Sequence, residues 1–188
     1  MQERKVKSFI LNSLIESNVI SNDELDIYEY GLEILKLYTC TFIIIFVISY
    51  FTDSFIEAIL FFLNFLIIRI YSGGLHLNNK YLCLTVSIIV FVAFPLVFKA
   101  YILNPILILP SILLLCIIIA RYCPIQSQNK SINNDQYIFF KKMNYKALFI
   151  IAIELIIFAY LKQYTYNNIV LGSLLLNSIN ILFGYYIN

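Results

Sequence analysis

Charge is what this chain has least of. Only 13% of its 188 residues are charged and 61% are hydrophobic, whereas soluble domains carry about 25% charge. Mean hydropathy is +0.85. A water-exposed fold has no way to hide that much apolar surface, so a soluble globular protein is excluded and the bilayer becomes the expected solvent. A formal net charge of +2 excludes a nucleic-acid partner, which would call for a strongly basic face. Histidine occurs once and cysteine four times. The cysteines, Cys40, Cys83, Cys116 and Cys123, have no zinc-ribbon spacing, so neither a metal nor a cofactor is expected. Cys40 and Cys116 sit inside apolar runs, where a thiol packs as a small hydrophobe, and no disulfide framework is expected. There is no internal repeat. The residues from Met1 to Ser8 are polar and charged, so no cleavable signal peptide is expected.

What is abundant is oil in blocks. The reading is an all-α polytopic membrane protein of one domain, residues 1–188, with about six transmembrane helices. Spans are expected near 37–51, 55–70, 81–98, 102–120, 145–161 and 169–187. Several are shorter than the ~20 residues of a perpendicular crossing, a shortfall that tilt or local thinning absorbs. Residues 52–54 read as a tight turn, and 121–142 as a polar loop. Before the first span, residues 1–36 hold amphipathic helices. Val6, Phe9, Ile10 and Leu14 fall at helical spacing beside Arg4, Lys5 and Lys7. That helix either lies in the membrane interface or packs on the protein's own cytosolic face. Ser21 and Glu24 form a capping-box pattern that starts a second helix near Asn22.

Basic residues set the sidedness. With a cytosolic N-terminus, Lys99 and Lys162 fall outside, and the other basic residues, among them Arg69, Lys80, Arg121, Lys130, Lys141 and Lys142, fall inside. That is a pronounced positive-inside bias. It puts both long polar connections, 69–80 and 121–144, on the cytosolic side.

One of those connections concentrates the chemistry. It runs from Arg69 through Gly73, Gly74 and His76 to Cys83, and it contains the only histidine and the only Gly-Gly pair. On one straight helix, His76 and Cys83 would be ~10 Å apart, beyond hydrogen-bond reach for proton transfer. A shared role therefore demands a break, which Gly73 and Gly74 permit; Asn78 or Asn79 would cap the restarted helix. Cys83 then lies near a helix N-terminus, which favours a thiolate, with His76 as its base. Read blandly, the same residues are an interface histidine and a packing cysteine. Cys123 is a weaker nucleophile candidate, with no histidine close in sequence. Arg69 and Arg121, at span ends, either anchor the helices or bind carboxylates of an acidic peptide. Backbone N–H groups around Gly73, Gly74 and Cys83 are candidates for an oxyanion hole. Glu154, inside the fifth span, is expected to face the bundle, with Lys162 or a tyrosine as partner.

The run Arg69, Tyr71, Ser72, Gly73, Gly74, His76, followed by Cys83, resembles the signature of the accessory gene regulator B family. Two further stretches agree. Tyr30 to Leu35 looks like that family's N-terminal helix, and Ala120 to Ile125 with Asn129 and Lys130 looks like its loop after the fourth span. Ser131 departs from the proline expected there. The resemblance implies a membrane cysteine endopeptidase of quorum sensing, multi-pass in the plasma membrane with its active site toward the cytosol. Its substrate would be a precursor peptide of the regulator D type, with Cys83 as nucleophile and His76 as general base. Arg69, Gly73, Gly74 and Arg121 would contribute to substrate binding. The tail is cut off through a Cys-linked thioester, and the remainder cyclises to a thiolactone or lactone. A homodimer is expected by the same resemblance. The rival reading is a membrane peptide transporter or exporter without covalent catalysis, for which Asn64 and Glu154 are the polar candidates.

Overall fold

A computed structural model describes residues 25–74, 79–101, 103–125 and 133–187. The described residues are helical, with no strand among them. The elements are α1 (Leu25–Phe51), α2 (Phe55–Ser72), α3 (Lys80–Ala100), α4 (Pro105–Tyr122), α5 (Asn134–Tyr160) and α6 (Tyr164–Ile187). All but α4 are long and apolar enough to cross a membrane; α4 contributes the shorter apolar stretch Leu107–Tyr122. The chain divides into two compact units, residues 1–43 and 44–188. Within the first, the described residues belong to α1. Its helix extends well before the expected start of the first span, because Ile27 to Leu35 continues the same helical run. The capping box expected at Ser21 and the helix expected around Val6 lie outside the described residues.

The second unit is built around α6, which packs against α2, α3, α4 and α5. In the most apolar stretch of α6, 61% of the residues are buried inside the protein, against 6% for α3. α6 is therefore the central helix and α3 a lipid-facing one. Its buried face is not purely apolar. Ile169, Val170, Leu174 and Ile181 share it with Asn167, Asn168, Ser173, Asn177 and Ser178. Small and amide side chains are the usual adhesive between helices in lipid, where hydrophobicity alone does not draw helices together. Asn177 Nδ2 donates to Ser173 O at 3.1 Å and to Phe65 O of α2 at 3.4 Å. Asn168 Nδ2 donates to Phe98 O at 3.2 Å and Tyr101 O at 2.6 Å, closing the C-terminal end of α3.

At that same end, Glu57 of α2 pairs with Lys99 of α3 at 3.0 Å. Lys99 also donates to Asp53 O in the α1–α2 turn. That turn falls where it was expected, with Asp53 at φ 51 and Ser54 N donating to Ser49 O at 2.9 Å. Glu154 finds a different partner from those expected: Asn64 Nδ2 of α2 donates to its Oε1 at 3.2 Å.

The largest departure is the polar loop expected over 121–142, which is helical from Asn134. Asn133 N donates to Gln136 Oε1 at 3.3 Å, half of a capping box, and Phe139 and Phe140 then set their rings on Tyr71 at 6.5 and 6.4 Å. A local cap and aromatic packing on α2 outweigh the polar composition.

Replacing Asn168 by leucine should cost about 1–2 kcal/mol of stability, because two carbonyls at the end of α3 lose their donor in a dry environment. Reversible unfolding in mixed micelles measures it; an unchanged midpoint would mean that those carbonyls find other donors.

Candidate active site

Two helix ends define the region. α2 stops at Ser72 because the next two residues are glycines in conformations that favour glycine, Gly73 at φ 69 and Gly74 at φ 128. The Arg69 side chain turns back to donate to Gly73 O. A β-carbon on Gly74 would collide with that guanidinium, and one on Gly73 would sit 2.7 Å from Ile125 O. α3 then begins at Lys80 with Asn79 as its cap, the Asn79 Oδ1 accepting from Tyr81 N at 3.0 Å and Leu82 N at 3.2 Å. The helix break that a joint role of His76 and Cys83 requires is present, and Asn79 restarts the chain. His76 itself, with residues 75–78, lies outside the described residues.

Cys83 sits in the first turn of α3 and is partly exposed. Its N–H donates to Asn79 O at 3.0 Å. That removes the Cys83 amide as an oxyanion donor, because a helical N–H committed to a carbonyl has no second bond to give. The height of Cys83 follows from helix geometry. Phe65 of α2 and Phe91 of α3 meet at 5.0 Å between ring centroids. Gly73 is eight residues beyond Phe65 and Cys83 eight before Phe91, so on these oppositely directed helices both lie ~12 Å from that contact, at the same level of the bundle.

Other elements converge on this end. Ile125 N donates to Ser72 O at 2.9 Å, and the rings of Tyr122 and Tyr185 meet at 5.1 Å. The end of α2, the turn after α4, the start of α5 and the end of α6 therefore share one end of the second unit.

The other sequence candidates separate by environment. Cys123 is 1% exposed. Burial pushes its thiol up to about 12, against weaker opposing effects from a Ser72 hydrogen bond and the Arg69 charge. A thiol held that high supplies almost no thiolate at neutral pH. Arg69, Gly73 and Gly74 are brought together, with the guanidinium engaged on the backbone. Arg121 is exposed and lines a separate cavity that borders this cluster through Ile125. Ser72 and Ile125 fall in the two family-like stretches, but their mutual bond and the Tyr122–Tyr185 contact are chain-distant and invisible to local pattern.

A family model described as accessory gene regulator B matches residues 8–181. The chain belongs to the accessory gene regulator B family. That is a family of peptide-processing enzymes, and membership points to a part in making quorum-sensing autoinducers, with a peptide substrate and a membrane setting. The five long apolar helices fit a multi-pass membrane protein. No curated protein and no solved structure matches the chain.

Two outcomes follow from the geometry. In a variant retaining Cys123 as its sole cysteine, maleimide labelling should stay near background from about pH 7 to about pH 9, since even at about pH 9 a group with pKa about 12 is only about one part per thousand thiolate. Rapid labelling would show the thiol to be accessible. Gly73→Ala should destabilise the fold by about 1–3 kcal/mol in mixed-micelle unfolding, through its φ and the approach to Ile125 O; a neutral result would mean that the turn relaxes freely.

Proposed function

We propose that this member of the accessory gene regulator B family is a cysteine endopeptidase of the plasma membrane, working on the cytosolic side. It removes the C-terminal tail of a regulator-D-type precursor peptide and cyclises the remainder. The observation that carries the reading is the position of Cys83, in the first turn of a helix capped by Asn79, just after the glycine break and the short stretch that includes His76.

The chemistry is then a two-step acyl transfer. His76 takes the Cys83 thiol proton, and the sulfur attacks the carbonyl at the tail junction. The C–N bond breaks, the tail leaves as an amine carrying the proton returned by His76, and a thioester to Cys83 remains. A cysteine thiol or serine hydroxyl of the same precursor gives its proton to His76 and attacks that thioester, closing a thiolactone or lactone; the Cys83 sulfur leaves and takes the proton back from His76. Placement at the end of an apolar bundle supports ring closure over hydrolysis, because water is scarce and the attacking group is part of the same molecule. Gly73 and Gly74 make the turn that ends α2, and Arg69 holds that turn. The whole chain acts as one catalytic domain, and a homodimer is part of the same reading.

A second reading draws on the Asn64–Glu154 pair between α2 and α5, a polar contact among spanning helices of the sort a peptide transporter would use. It predicts peptide flux across proteoliposomes by protein lacking Cys83.

With reconstituted protein and precursor, Cys83→Ala and His76→Gln should each lower tail release by about 10⁴-fold while leaving membrane insertion and helix content unchanged. Normal cleavage by either variant sinks the assignment; flux that survives Cys83→Ala favours the transporter.

A further inference from the structure

At the end of the second unit where Ser72 and Ile125 meet, a cavity of about 410 Å³ opens between the C-terminal ends of α4 and α6 and the start of α5. Its wall is formed by Arg121, Tyr122, Pro124, Ile125, Tyr137 and Tyr185, with Gly184 adding backbone. No carboxylate of the described residues lines it. Arg121 is exposed and has no hydrogen-bond or ion-pair partner among the described residues. Lys141 Nζ lies 5.7 Å from the centroid of the ring of Tyr137, one of the lining residues. The two arginines at the ends of their helices thus differ. Arg69 is engaged on the backbone of its own turn, whereas Arg121 presents a guanidinium beside an open space.

A guanidinium with its donors unused, phenols and an apolar floor select a particular chemistry. The guanidinium offers paired N–H donors in the geometry of a carboxylate. The tyrosine rings and the Pro124–Ile125 floor take an apolar side chain next to it. The volume falls within the range that holds a few residues or a drug-sized ligand. The cavity also communicates with the α2 end, since Ile125, part of its wall, donates from its N–H to Ser72 O and abuts Gly73.

We propose that this cavity is a subsite for a carboxylate-bearing, partly apolar stretch of a peptide ligand, with Arg121 as the anchoring cation and Tyr137 and Tyr185 as its walls. That the peptide is the enzyme's substrate rests on the proposed function, and the subsite then acts on affinity rather than on bond breaking. Binding measured without turnover separates the two claims.

The test uses full-length Cys83→Ala protein in nanodiscs of zwitterionic lipid, with a fluorescent synthetic peptide rich in glutamate and leucine and its glutamine counterpart as probes. The glutamate peptide should bind about tenfold more weakly to Arg121→Gln protein than to the Arg121 parent. Arg121→Lys should recover part of that loss, and Tyr137→Ala should weaken binding without removing the preference for glutamate. The glutamine peptide should bind both the parent and Arg121→Gln at the same reduced level, so the two changes are not additive. Equal binding of the glutamate peptide to parent and Arg121→Gln overturns the proposal, as does a full second loss when both changes are combined. An Arg121 dependence that appears only when anionic lipid is included assigns the cavity to a lipid headgroup and also overturns it. If binding behaves as expected while wild-type protein cleaves no precursor, the subsite stands and the endopeptidase reading falls.

Discussion

A backbone carbonyl freed at a helix end needs a donor, and one shut away from water must find it within the chain; this constraint organises the second unit. Several helix ends among the described residues are closed by a side-chain or backbone donor. Lys99 reaches Asp53 O at the α1–α2 turn. Asn168 closes the end of α3 through Phe98 O and Tyr101 O. Arg69 folds back on Gly73 O, and Ile125 N meets Ser72 O. These closures do more than satisfy polar groups. Several tie together elements far apart in sequence, so the same bonds that make the breaks tolerable also set the positions of the helix ends.

The central helix follows the same logic. α6 carries apolar residues together with amides and hydroxyls on its buried face, and its amides bond to carbonyls of α2 and α3. Directional bonds fix register between helices that lipid would otherwise let slide. A floor held in register lets two separate features at one end, the start of α3 with Cys83 and the cavity beside Arg121, keep fixed places.

The polar groups at that end divide by environment rather than by residue type. Of two cysteines near it, Cys123 is buried and its thiol held up to about 12, whereas Cys83 is partly exposed in a helix's first turn. Of two arginines, one serves the backbone and the other faces an open cavity. Burial and partner, not identity, separate the group left accessible from the group held in the structure.

Composition and hydropathy determined the membrane solvent, the helical class and the rough order of the spans, because lipid leaves helices as the structure for apolar runs of this length. Local residue chemistry also determined the break itself. Gly73 and Gly74 allow backbone angles that other residues resist, and an asparagine accepts from the first free N–H groups of a helix, so both ends of the interruption were legible between Arg69 and Cys83. The missed element, the first turns of α5, was hidden because its stability comes from Phe139 and Phe140 lying on Tyr71, a contact between residues almost seventy positions apart. The same holds for Asn64 as the partner of Glu154, for the seat of Cys123 beside Ser72, and for the cavity beside Arg121. Each depends on which helix ends meet. Local pattern carries no record of that, because the energies that decide it, ring packing and the pairing of freed backbone groups, arise only when distant segments are already side by side.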